Sequence, residues 1–158
     1  MNLPAAQTNQ QLSTLTFDPE LTPGAHNAVN VCLRIQPNEK VTVITDEGTK
    51  EIAASIVHEL EQLGFTYRAW ILEDLAPRPL TDLPQEIADD LETSQVSIFA
   101  VQAQANELRS RMQMTDIVNR RHIRHAHMVN INRQIMLEGM RADIPPDFLR
   151  VIDAVGFD

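Results

Sequence analysis

The sequence predicts a three-layer α/β fold, Rossmann-like, with a mostly parallel sheet covered by helices on both faces. Three observations predict it. Residues 41–45, 66–72 and 96–101 are short runs rich in β-branched and other apolar side chains, bounded by turn residues, as buried strands are. The stretches between them carry apolar residues at helical spacing, and strands separated by helices need crossover connections and hence parallel pairing. Hydrophobic residues make up 43% of the 158, enough for one core in a chain too short for two domains of ordinary size.

Each element follows in order. Residues 1–22 are rich in Gln, Thr, Asn and Pro without a sustained hydrophobic period and read as a flexible polar arm, with Leu12, Leu15 and Phe17 as its anchors. Residues 23–158 read as one α/β domain. Ala25, Ala28, Val29, Cys32 and Leu33 repeat at i, i+3, i+4, i+7 and i+8, predicting a helix that Pro37-Asn38 ends. After strand 41–45, the turn Asp46-Glu47-Gly48-Thr49 places Asp46 or Thr49 to cap a helix with Ile52, Ile56, Leu60 and Leu63 inward. That helix stops at Gly64.

Strand 66–72 leads into a connection that Pro77 and Pro79 hold extended. Pro84 then opens a helix with Ile87, Ala88 and Leu91 inward. Beyond strand 96–101, a longer helix over 105–122 turns Leu108, Met112, Ile117 and Val118 toward the core. Residues 123–131 alternate as a fourth strand, and Asn132 caps a helix through Met140. Pro145-Pro146 opens a last amphipathic helix holding Phe148, Leu149, Ile152 and Val155.

A formal net charge of -9 argues against a nucleic-acid partner, because such binding rests on Lys and Arg neutralising phosphates. The one basic cluster, Arg120-Arg121-His122-Ile123-Arg124-His125 with Arg109 and Arg111 upstream, reads as a solvated helix end. Cys32 is the only cysteine, so no intramolecular disulfide forms, and its apolar neighbours predict an inert thiol. No run reaches the roughly 18 apolar residues of a membrane span, and the first residues lack the charged and apolar regions of a signal peptide. A cytoplasmic protein without a membrane partner is expected.

Ligands of a parallel α/β sheet sit at the carboxyl ends of its strands, which draws attention to residues 45–49. A dinucleotide needs glycines there, and this turn offers Gly48 alone, flanked by Asp46 and Glu47, which repel phosphate. A capped turn is the simpler reading. The absence of Lys after Lys50 argues against a phosphoreceiver site. His125 and His127 share one face of a strand and are candidate metal ligands, with His122 as a third. Against that, no Cys or well-spaced acid completes the set, so buried, hydrogen-bonded histidines are the preferred reading. His26 and His58 read as isolated.

Ser94, Ser97 and Ser110 lack the Gly-x-Ser-x-Gly elbow of a hydrolase nucleophile. Asp89-Asp90 reads as solvent-facing, since adjacent helical residues do not face one another. No catalytic or cofactor-binding residue is assigned.

Four segments carry a resemblance. They are Leu72-Glu-Asp-Leu-Ala-Pro-Arg-Pro-Leu-Thr-Asp-Leu-Pro84, Val96-Ser-Ile-Phe-Ala-Val-Gln-Ala-Gln104, Arg124-His-Ala-His-Met128 and Ile135-Met-Leu-Glu-Gly-Met-Arg-Ala-Asp143. In this order and spacing, over about residues 24–143, the chain resembles the amino-terminal region of bacterial metal-dependent aminopeptidases of the aminopeptidase T, thermophilic leucyl-aminopeptidase-like family. The resemblance implies a scaffold, dimerisation or substrate-access domain of a leucyl-type aminopeptidase. In that family a later domain holds a pair of divalent metals, of zinc, cobalt or manganese type, that activates water. Its ligands have no counterpart among these 158 residues, so the chain alone is expected to be inactive. Its expected partners are a second copy or a carboxyl-terminal catalytic domain, and peptides only in a full-length context. A free-standing interaction or small-ligand module is the alternative, and an enzyme built on the three histidines a third reading. Val129 departs from the pattern, standing where relatives often place Pro.

Overall fold

The computed structural model of the protein describes residues 5–140. The expected last helix, with Phe148, Leu149, Ile152 and Val155, lies outside them. Four strands, β1 (Lys40–Thr45), β2 (Thr66–Ile71), β3 (Val96–Val101) and β4 (Arg124–Val129), form one sheet in the order β2-β1-β3-β4. Every neighbouring pair is parallel, and Thr45 sits opposite both Ile71 and Ala100, so three strands end level. The chain leaves β1 toward β2 and then crosses back to β3. The switch point of the topology therefore lies between the carboxyl ends of β1 and β3.

Helices cover both faces, as the α/β reading requires. On one side α2 (Thr22–Asn27) and α3 (Lys50–Gln62) bring Ala25, Ile52, Ile56 and Leu60 onto Val41, Val43, Ala69, Ile98 and Ala126. On the other, α5 (Gln85–Leu91) and α6 (Leu108–Arg121) bring Ile87, Leu91, Met114 and Val118 onto Ile44, Trp70 and Phe99. A single turn, α4 (Leu72–Leu75), follows β2. Alternation along the strands separates the two cores. Gly64, at φ 73°, closes α3 in the left-handed region, which glycine enters without the strain a side chain brings. No helix among the described residues is long and apolar enough to cross a membrane.

Four local expectations need correction. Within the segment read as a flexible arm, Ala5–Thr14 forms helix α1, with Thr8 and Leu12 one turn apart and 2% and 1% exposed. Leu15 and Phe17 pack beside them, as anchors should. The polar composition concealed a narrow inward stripe.

The helix expected to run to Pro37-Asn38 passes from α2 into a π-helical turn, Ala28–Cys32, and stops earlier. Arg34 adopts a left-handed conformation, and the Ile35 amide bonds back to the Val29 carbonyl at 3.2 Å, terminating the helix by hydrogen bonding rather than by proline. Cys32 is half-buried against the same core.

Leu108 and Met112 do not face the core; they are 61% and 55% exposed. Glu107, Ser110, Met114 and Val118 form the inner face of α6 instead. Anchoring of the buried Glu107 carboxylate sets that rotation.

Asp90 is buried rather than solvent-facing, and only Asp89 is exposed. The Asp90 carboxylate accepts from Lys40 Nζ, from Thr42 Oγ1 at 2.8 Å and from Trp70 Nε1 at 3.0 Å. Three donors compensate its burial, and they tie α5 to β1 and β2.

Candidate functional site

At the switch point lies Arg78, carried by the connection between β2 and α5, where the Arg78-Pro79 peptide is cis. Its guanidinium uses all five N–H donors. Nε and Nη2 grip the Glu107 carboxylate at 3.0 and 2.7 Å, Nη1 reaches Asp46 Oδ2 at 2.7 Å and Glu73 Oε2 at 3.4 Å, and Nη2 also donates to the Gln102 carbonyl at 3.0 Å. The side chains of Arg78, Asp46 and Glu107 are 5%, 2% and 5% exposed.

Local structure places each partner. Asp46 is the first residue beyond β1, Gln102 the first beyond β3, Glu73 lies in α4, and Glu107 caps α6. The Gln102 amide also donates to Asp46 Oδ2 at 2.8 Å, and the Leu80 amide to Glu107 Oε2 at 2.7 Å. A methyl group on Gly48 would come within 2.5 Å of the Gln102 side-chain oxygen, so that carboxamide would have to turn away from any larger residue. The crevice at the switch point is thus filled by the protein's own charged and amide groups.

The electrostatics follow from this packing. Burial opposes ionisation of Glu107, but the bonds from Arg78 and the Leu80 amide, with the fields of Arg78 and Arg111, outweigh it and hold its carboxyl below the usual range. Glu107 first, against desolvation and with help from Asp46, makes Arg78 a still weaker acid than a free guanidinium. On the rim the balance reverses. Burial and the repulsion of Glu47 and Glu73 raise Asp74, with Lys50 offsetting part. Chemically the cluster is a polar keystone joining two strand ends, a connection and a helix, with Asp46 Oδ1 buried and left without a hydrogen-bond partner.

The histidine candidates divide. His125 Nδ1 lies 2.6 Å from Ser97 Oγ, and its Nε2 lies 3.0 Å from His127 Nδ1. His127 stacks on Phe99 at 5.2 Å with 19° between the planes. His122 is exposed and stands apart as the left-handed residue that ends α6, at φ 55°. Burial, and then the neighbouring His127, push His125 down to about 3, so it is neutral at physiological pH. Both ring nitrogens of His125 are committed to protein partners. Among the described residues no three of His, Cys, Asp and Glu converge as a metal site.

The remaining candidates serve packing and pairing. His26 Nδ1 meets Glu59 at 2.5 Å, and His58 stands edge-on to Phe17 at 5.5 Å, so neither is isolated. Ser94, Ser97 and Ser110 are 1%, 0% and 3% exposed. Within the basic cluster Arg120 bonds Glu92, Arg121 donates to the Leu91 and Ser94 carbonyls, and Arg124 forks onto Glu39.

Sequence reasoning inspected the turn at Asp46 but missed Arg78, which completes it. A signal was present: Arg78 is the only Lys or Arg between Arg68 and Arg109, in a stretch holding eight acidic residues. A lone cation among so many carboxylates is a natural hub. Compared with known proteins, the chain matches no family model, and no curated protein or solved structure matches it significantly.

Proposed function

We propose that this chain is the amino-terminal domain of a metal-dependent leucyl-type aminopeptidase of the aminopeptidase T kind, serving as scaffold, subunit contact or wall of the substrate path. One observation carries the reading. Of the segments that resemble the family, 72–84 supplies Arg78 and its connection, 96–104 supplies β3 and Gln102, and 124–128 supplies β4. The resemblance thus falls on the residues that organise the carboxyl ends of the strands.

The described residues of this chain do not fit a pair of divalent metals. Zinc, cobalt or manganese bound by imidazole needs unshared ring nitrogens, whereas those of His125 face Ser97 and His127 and His122 stands apart. In this reading metal chemistry belongs to a later domain and the protein is cytoplasmic. The purified chain is expected to show no turnover of leucyl substrates with added zinc, cobalt or manganese. Turnover that survives purification and disappears in His125→Ala/His127→Ala would transfer the activity to this domain. Translation of the coding sequence following Asp158 tests the remainder: a His- and carboxylate-rich domain is expected, and a stop codon there would sink the reading.

Leu108 and Met112, adjacent on α6 and both exposed, favour a second reading as a free-standing interaction module.

A further inference from the structure

Ser97 of β3 and His125 of the edge strand β4 stand opposite one another, and His127 lies two residues further along the same face, on Phe99. Their polar atoms join in one line, Ser97 Oγ to His125 Nδ1 at 2.6 Å and His125 Nε2 to His127 Nδ1 at 3.0 Å. Ser97 and His125 are buried and His127 is half-buried, so the line runs from the interior to a ring that solvent reaches.

Counting hydrogens gives the line a direction. Neutral His125 carries one N–H, so one of its nitrogens donates and the other accepts. Among the described residues the Ser97 hydroxyl bonds to His125 alone. Were His125 Nδ1 the donor, the Ser97 O–H would be buried without an acceptor, which forfeits its hydration for nothing. With Nδ1 as the acceptor every hydrogen is used: Ser97 O–H donates to His125 Nδ1, and His125 Nε2–H donates to His127 Nδ1. That last nitrogen must therefore carry a lone pair and no proton.

We propose that Ser97, His125 and His127 form a one-way hydrogen-bond relay that latches β4 onto β3 and lets go in acid. A proton from solvent that binds the lone pair of His127 Nδ1 turns this nitrogen into a donor facing the donor His125 Nε2–H. The two rings then part and strand that N–H, or His125 changes tautomer, donates from Nδ1 to Ser97 Oγ and strands the Ser97 O–H. In both cases a buried donor loses its acceptor, and the cross-strand tie weakens as pH falls through the range in which imidazole gains its charge. No other titratable group of the two strands faces the pair, since Val96–Val101 holds none. Helix α6, which covers this face, carries Arg109, Arg120 and Arg121, each already bonded, together with Arg111 and Asp116, and His122 stands at its exposed end. The charge that acts on His125 is that of His127. The relay rests on the donor count and not on the peptidase reading.

Nitrogen-15 NMR of the histidine rings in the full chain, together with amide hydrogen exchange, tests the relay. At pH 7 the His125 proton is expected on Nε2, with His127 Nδ1 bare; a His125 proton on Nδ1 overturns the direction. The Arg124 and Asn130 amides donate to β3 carbonyls, so in this parallel pair those of Ala126 and Met128 do too. Between pH 7 and 5 His127 should gain its proton in the same step in which the His125 ring signals change. Protection of the Ala126 and Met128 amides should fall roughly tenfold in that step, while Val43 in β1 keeps its own. Proton uptake on His127 that leaves His125 and these amides unmoved overturns the latch, as does a His127 that stays neutral to pH 5. His127→Gln offers an oxygen that accepts from His125 and takes up no proton, so acid should leave β4 protected in that variant. An undiminished acid response there overturns His127 as the trigger. Should the variant not fold, the wild-type titration decides alone.

Discussion

Arg78 compensates two buried carboxylates, so replacing it by alanine strands both. Such a loss is expected to cost about 3–5 kcal/mol, read by urea denaturation at pH 7. Arg78→Lys should recover only part, because an ammonium cannot fork onto Glu107 and reach Asp46 together. The deficit of Arg78→Ala should shrink as the pH is lowered toward 5. Without the guanidinium, the burial that opposes ionisation of Glu107 is no longer outweighed, and protonation of that carboxyl relieves it. A deficit independent of pH would mean that Arg78 acts by packing alone.

His125 has the opposite sign. It stays neutral in the folded protein down to about 3, whereas the unfolded chain takes up that proton near pH 6.5. Stability contributed by the neutral ring is full above pH 6.5 and is lost as pH falls toward 3, by at most about 1.4 kcal/mol per unit. Glu107, whose carboxyl is held low, adds its own loss only as pH falls below the ordinary carboxylate range. Comparing His125→Gln with wild type between pH 7 and 5 isolates the histidine, and the variant should show the flatter profile. Equal slopes would refute a buried neutral imidazole.

Among the elements, α2 packs against the π-helical segment Ile135–Gly139 at Gly24, where an added Cβ would lie 2.6 Å from the Met136 carbonyl oxygen. Backbone cannot yield as a side chain can. Gly24→Ala is expected to lower stability by about 1–3 kcal/mol. Gly48→Ala meets the tip of Gln102 instead and should cost less, as that carboxamide can rotate away. Thermal unfolding of both variants checks the ranking. The reverse order would place the tight contact at the switch point.

For the whole molecule, the arrangement of the histidines bears on metal affinity. With His125 committed to Ser97 and His127, calorimetric titration of the full chain with zinc is expected to show no stoichiometric site tighter than about micromolar. His127→Ala should then lower stability rather than remove a binding step. A tight one-to-one isotherm would require the pair to open and His122 to rearrange.

Strand positions, parallel pairing and the end of α3 at Gly64 were legible in the sequence alone, because β-branched runs, helical periods and a left-handed glycine act over neighbouring residues. The placement of β3 at Val96–Val101 needed nothing more. Tertiary structure decided what depends on distant partners. The three acids that make Arg78 a hub stand at the end of β1, in α4 and before α6, and the burial of Asp90 depends on Lys40, Thr42 and Trp70. The rotation of α6 follows from Glu107 rather than from its own apolar pattern, and α1 is placed by an edge strand more than fifty residues away. Local sequence determines which conformations the backbone favours. Only the assembled sheet determines which polar groups are buried together, since the cost of burying a charge is offset by partners that no short window contains.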